Sequence, residues 1–283
     1  MPRILRFLLL IAGLLAAAGG QAQDIVGHDL DVRIDPHQGT LTARDTLDLP
    51  RGRDSVVFSL HRDLNPGVVQ GNAILEQAGA QDQLQLYRLR LRSPGPVTLH
   101  YSGRIRHGLE EIREGMGRSR QWTRGTIDAA GVALDGRSGW YPRVSNSLQR
   151  LALTVRLPPG WTAVSQGAGP HRSETAEGSQ VTWREAKPQD DIHLIAGRFE
   201  TYARPTPSGE AQVYLRSADE PLAERYLAAT ARYLTLYSGL IGPYPYAKFA
   251  LVENFWETGY GMPSFTLLGP RVIRLPFIPY TSY

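Results

Sequence analysis

From Asp24 to about Phe199, apolar residues recur at every second position in short runs broken by turn residues. That period suits a strand with one face buried and cannot line up one face of a helix. Leu30, Val32 and Ile34 alternate with polar neighbours, Pro36-His37-Gln38-Gly39 turns the chain, and Leu41, Ala43, Leu47 and Leu49 alternate back, which reads as a hairpin. Val56-Val57-Phe58 with Leu60 reads as a buried strand. The run Leu84-Gln85-Leu86-Tyr87 slips phase before Leu89 and Leu91, which predicts a bulge. Pro94-Gly95-Pro96 precedes Val97, Leu99 and Tyr101. Further strands are read at Leu151–Leu157, Val181–Trp183 and Ile192–Ile195. The fold class is therefore mainly β, built of many short antiparallel strands.

Composition narrows the function classes. A chain of 283 residues holds one large domain or two ordinary ones, and 42% apolar with 20% charged residues is globular, not disordered. With no cysteine, a disulfide scaffold, a thiol nucleophile, a cysteine zinc site and a lipid-anchored N-terminal cysteine are all excluded. Of 31 basic side chains only Lys187 and Lys248 are lysines, and the arginines are scattered among acids, as in Asp45, Asp48, Arg51, Arg53 and Asp54. A nucleic-acid partner would call for a clustered basic face, so none is expected. Residues 1–22 carry Arg3 and Arg6, an apolar run from Phe7 to Ala18, and Gly19-Gly20-Gln21-Ala22, which is the pattern of a cleaved export signal. The apolar run is shorter than the ~20 residues a membrane span needs. The mature product is expected outside the cytoplasm, periplasmic or secreted, without a stable membrane span.

The stretch Arg104–Asn146 is polar and glycine-rich, too long for an idle loop, and closes on Trp140-Tyr141-Pro142, whose aromatic rings read as core plugs. Beyond Phe199 the pattern changes. Arg204-Pro205-Thr206-Pro207-Ser208-Gly209 reads as a linker or turn, and Val213-Tyr214-Leu215 as a strand. Leu222, Tyr226, Thr230, Tyr233, Leu234 and Tyr237 then repeat at helical spacing, with Asp219 placed to cap, Pro221 in the first turn and Gly239 as the stop. Gly242-Pro243-Tyr244-Pro245-Tyr246 turns into the strand Lys248–Val252. The implied organisation is a leader over 1–22, a β-rich domain over 23–203 and the start of an α/β domain over 204–283.

Few residues point to chemistry. The histidines at 28, 37, 61, 100, 107, 171 and 193 show no H-x-x-x-H or H-E-x-x-H spacing and read as surface or hairpin residues. No G-x-S-x-G elbow, Walker loop or dinucleotide fingerprint occurs, and Glu110-Glu111 and Asp190-Asp191 are adjacent, so each pair points to opposite sides. The exception is Val252–Leu268, where an apolar strand feeds Gly259-Tyr260-Gly261-Met262-Pro263 and a second apolar strand starts at Phe265. Glycines there let a backbone edge face a groove in which an extended peptide could add as a strand, although a plain hairpin turn reads the same way.

Together, Gly239–Tyr246, the strand after it and Gly259-Tyr260-Gly261-Met262 resemble the M1 family of zinc metallopeptidases. The order of leader, β-domain, Trp140-Tyr141-Pro142, Ala196-Gly197-Arg198-Phe199 and helix fits that resemblance along nearly the whole mature chain. It implies a saddle-shaped antiparallel β-domain, then the strands and first helix of a thermolysin-like catalytic domain. It also implies that Tyr260, Gly261 and Met262 line the groove for a peptide substrate. Two departures stand out. Where the family has Met-Glu-Asn, whose Glu binds the substrate's free α-amine, this chain has Met262-Pro263-Ser264, and Glu253 or Glu257 is the nearest substitute carboxylate. The zinc motif is absent, and the chain runs only about twenty residues past Met262. The resemblance therefore implies no catalytic or metal-binding residue within the chain. It places zinc, its ligands and the general base beyond residue 283, and makes this an inactive N-terminal portion of a longer enzyme. The rival expectation is a non-catalytic exported β-domain that binds a peptide or protein partner.

Overall fold

The computed structural model describes residues 23–114 and 118–275. The leader expected over residues 1–22 and the segment 276–283 lie outside the described residues.

The alternation seen in the sequence folds as it reads. Strand Asp24–Asp35 pairs antiparallel with Thr40–Asp48, matching Leu30 to Asp45 and Ile34 to Leu41. Its even-numbered residues from Val26 to Ile34 point into the core, as do Leu41, Ala43, Asp45 and Leu47 across from them. Seven strands form this largest sheet, in the spatial order 168–175, 178–189, 147–157, 24–35, 40–48, 97–104, 67–70. One of its pairings is parallel: Asp24–Asp35 lies beside Ser147–Leu157, with Val32 opposite Val155. The first strand is thus central, flanked on one side by residues more than a hundred positions later. A second sheet joins Arg143–Val144, Ser55–His61, Leu84–Leu91 and Ala73–Gln81, and a third joins Thr126–Asp128, Gly131–Leu134, Leu194–Gly197 and Thr162–Val164.

Several local readings shift. The predicted bulge exists, but it lies on the partner strand: Leu84–Leu91 runs unbroken while the register slips between Gln77 and Gly79 opposite it. The Arg104–Asn146 stretch is not structureless. It forms the hairpins Leu109–Glu114 with Arg118–Thr123 and Thr126–Asp128 with Gly131–Leu134, then a turn of 3-10 helix at Gly136–Ser138 capped by Asp135. Trp140 and Tyr141 are fully buried, as read, with the Trp140 indole donating to the Ile192 carbonyl at 3.1 Å. Arg204-Pro205-Thr206 is strand, not linker: Glu200–Thr206 hairpins with Gly209–Leu215, and only Pro207-Ser208 turns.

The remaining sheet orders 200–206, 209–215, 248–253, 265–268, 259–262. Its three inner strands run parallel and both edges are antiparallel. Period-two alternation splits its residues between two cores. Tyr214, Ala250, Val252, Phe265 and Leu267 face the β-rich half. Ala211, Val213, Leu215 and Leu251 face the helix Glu220–Ile241, which buries Leu222, Ala223, Tyr226 and Leu227 against them. Asp219 caps that helix by accepting from the Leu222 amide at 3.1 Å. The helix passes through Gly239 and ends at Gly242, whose φ of 105° leaves the helical region just before Pro243. Its aromatic stripe is buried only at the start: Tyr226 is enclosed, whereas Tyr237, Leu240 and Ile241 are exposed.

Candidate functional site

The residues Tyr260, Gly261 and Met262 fall together on the strand Gly259–Met262, the antiparallel edge of the five-stranded sheet. It pairs only with Phe265–Leu268, Gly261 opposite Thr266 and Met262 opposite Phe265, so its other side is a free backbone edge among the described residues. Gly261 is exposed, and a Cβ placed on it would meet nothing within 4 Å. Tyr260 and Met262 are half-buried against the main core. The Tyr260 hydroxyl donates to the Gln121 carbonyl at 3.3 Å, and the Trp256 indole donates to the same oxygen at 3.1 Å. The hairpin ending at Thr123 is therefore tied to this strand, and with it part of the glycine-rich stretch.

Beneath the strand lies a cavity of about 200 Å³. Leu134, Ile195, Trp256 and Met262 give it an apolar lining, and Arg137 and His193 its principal polar groups. The Arg137 guanidinium is held by Asp135 at 2.6 Å and lies 5.4 Å from the centre of the Trp122 ring. Asp135 also accepts from the backbone amides of Arg137 and Ser138, so its charge is fully engaged. His193 Nδ1 is buried without a hydrogen-bond partner.

The two acids named as substitutes do not face the cavity. Glu253 is buried, accepts from the Arg216 amide at 2.8 Å and pairs with the Arg274 guanidinium. Glu257 accepts from the Arg271 amide at 3.1 Å, at the start of the short helix Pro270–Ile273. Both close off the C-terminal ends of the parallel strands.

Two histidines read as surface residues are instead buried, because the inward positions of strands carry them. His28 bridges Asp45 at 2.8 Å and Gln149 at 2.9 Å, all three closed in the core. His61 meets His107, Nε2 to Nε2, at 2.8 Å. The Asp63 amide donates to His61 Nδ1 at 3.2 Å, so the ring proton of neutral His61 sits on Nε2 and donates to His107. This is a hydrogen bond, not a pair of metal ligands. Among the described residues no three metal-ligating side chains converge, so they do not fit a zinc ion.

Sequence reasoning missed Lys248. It is 1% exposed, and its Nζ donates to the Ser165 carbonyl at 2.9 Å and to the Ser264 carbonyl and hydroxyl at 3.0 Å each. The rings of Trp183 and Phe265 flank it, each 4.9 Å away. Burial pulls its pKa well below the usual lysine value. The available signal was its place two residues before Ala250 and four before Val252, an inward position in a strand.

Neither a family profile nor a curated protein matches the sequence. Solved structures do match the fold. A two-domain M1 zinc metallopeptidase, solved as a mutant bound to L-arginine, aligns with a TM-score of 0.58 at 17% identity over 88% of this chain and 61% of its own. The M1 zinc metallopeptidase from Deinococcus radiodurans aligns with a TM-score of 0.57 at 16% identity over 87% of this chain and 59% of its own. A mutant of that enzyme bound to a Tyr-Ser-Ala substrate gives 0.57 at 16% identity, over 89% and 61%. The chain spans about three fifths of the length of these proteins and shares their fold. Among the described residues no helix is long and apolar enough to cross a membrane.

Proposed function

We propose that this chain is the N-terminal portion of an exported, M1-like zinc metallopeptidase, and that its Gly259–Met262 edge receives the peptide substrate as an added strand. The observation that carries this reading is the free antiparallel edge itself, open at Gly261 and set over an apolar cavity. Peptidases of the same fold support it, one of them with Tyr-Ser-Ala bound. A zinc ion bound in the complete protein would supply a Lewis acid there. The part taken by this chain's own described residues is to bind and orient the substrate along the Gly259–Met262 edge. Neither Pro263 nor Ser264 offers a carboxylate to a free α-amine, so a peptide with a blocked amino terminus binds as well as a free one.

The test is amide hydrogen exchange at Gly259–Met262 with Tyr-Ser-Ala and with its N-acetylated form. Both are expected to protect these amides, and Gly261→Val is expected to abolish the protection without lowering the melting temperature. Protection that is absent, or that survives Gly261→Val, overturns the binding reading. For the longer enzyme, the reading frame should continue to an H-E-x-x-H within about fifty codons. A stop codon in that interval would favour the alternative, a non-catalytic exported β-domain that binds a peptide or protein partner through the same edge.

A further inference from the structure

The hairpin carrying the proposed peptide edge turns through Pro263 and Ser264, and the turn is strained. Ser264 adopts φ of 66°, a left-handed conformation that glycine or asparagine takes more readily after a proline. A serine persists in such a conformation where its surroundings over-determine it. Here they do. Ser264 is 3% exposed, its hydroxyl accepts from the Gly167 amide at 3.2 Å, and both its oxygens lie 3.0 Å from Lys248 Nζ. The third bond of the same nitrogen reaches the Ser165 carbonyl in the β-rich half. One side-chain nitrogen therefore joins three elements: its own strand Lys248–Glu253, the loop at Ser165, and the turn that ends the edge strand.

We propose that Lys248 is a positioning residue for peptide recognition, its enclosed nitrogen tying the Pro263–Ser264 turn to Ser165 and so fixing the register and reach of the Gly259–Met262 edge. This rests on the reading of that edge as the peptide site and adds what holds it in place. An edge strand whose backbone ladder, among the described residues, runs on one side only is held by fewer backbone bonds than an inner strand. The chemistry of the partners fits a permanent tie. An ammonium supplies three donors to the three oxygens. A neutral amine keeps two carbonyl bonds and receives the third from the Ser264 hydroxyl, the one partner that serves either form. Trp183 and Phe265 close the cage and exclude water that would compete for these bonds.

Amide hydrogen exchange without peptide tests the tie directly. Lys248→Met fills the cage with an apolar chain of similar length, and Ser264→Ala keeps the lysine while removing the hydroxyl. Both are expected to quicken exchange at Tyr260 and Met262, which pair with Leu267 and Phe265, by tenfold or more, while the amides of Leu30 and Val32 stay as slow as in the unsubstituted chain. Exchange that is unchanged at the edge, or that rises equally in both places, overturns the proposal. Because the chain contains no cysteine, Lys248→Cys can be aminoethylated under denaturing conditions and refolded. Restoring the amine should recover slow exchange at the edge, whereas S-propylation should not. Recovery by both reagents, or by neither, counts against the tie. Peptide protection of the unsubstituted chain is read separately. Its absence removes the peptide site and leaves the exchange result standing.

Discussion

His28, Asp45 and Gln149 cross three adjacent strands, and their geometry follows from the register. His28 lies opposite Leu47 on one side and Leu151 on the other, so its two ring nitrogens reach diagonally to Asp45 and Gln149. Burial pushes the Asp45 carboxyl above its ordinary value, and His28 opposes that rise. His61 behaves differently. It is 2% exposed, and burial, with Asp63 opposing and His107 and Arg62 adding, pulls its pKa down to about 4. The unfolded chain therefore binds a proton near pH 6.5 that the folded chain refuses until about pH 4. Stability from this group is complete above pH 6.5 and is lost as pH falls through that window, by up to about 3 kcal/mol. Urea unfolding at pH 7 and pH 4 should show a larger loss in the unsubstituted chain than in His61→Gln. Taking the difference between the two chains cancels the contribution of Asp45. Equal losses would remove His61 as the cause.

At the scale of the element, the helix Glu220–Ile241 is held by its cap and by its first turns. Asp219→Ala removes the acceptor of the Leu222 amide and should cost about 1 kcal/mol, read as a lower urea midpoint at unchanged slope. That cap was legible because an Asp, a Pro and an apolar period fall in sequence order. The Asp24–Asp48 hairpin was legible for a similar reason: one face of each strand is wet, so alternation survives. The bulge was placed on the wrong strand because a phase slip records a mismatch between two strands without saying which one carries the extra residue. Gly239 reads as the stop, but a helix ends where the backbone must leave it, and with Pro243 ahead the helix runs two residues further, to Ile241. At the candidate site, Tyr260, Gly261 and Met262 were singled out by the family resemblance that the Gly259-Tyr260-Gly261-Met262 pattern carries. The roles of Lys248 and Ser264 were not legible, because they exist only once Ser165 and Gly167 arrive on the loop between strands Thr162–Val164 and Ala168–Thr175. The buried histidines escaped for the same reason, since each needs a partner distant in sequence.

At the scale of the whole molecule, the five-stranded sheet lies between two cores, and Phe255 closes the seam on the β-rich side. Its ring occupies the place where a Cβ at Gly131 would stand and crowds Gly197 as well, while Phe199 lies 5.8 Å away, ring centre to ring centre. Gly131→Ala should therefore destabilise the chain by about 1–3 kcal/mol through overpacking. Adding Phe255→Ala should cost less in that background than in the unsubstituted chain, and a double-mutant cycle measures the coupling. Strictly additive losses would show that the ring is not what the new methyl meets. The central place of the first strand bears on how the molecule assembles. Asp24–Asp35 can form its hairpin with Thr40–Asp48 early, yet its other side stays unpaired until Ser147–Leu157 has been made. Closing so long a loop before its contacts form is entropically uphill and slows folding. For that interval the growing chain carries an open, apolar-faced β-edge, exactly the kind of surface a holding chaperone would recognise. Synthesis rate and chaperone supply, more than native-state stability, are then expected to set how much of this protein reaches its folded form.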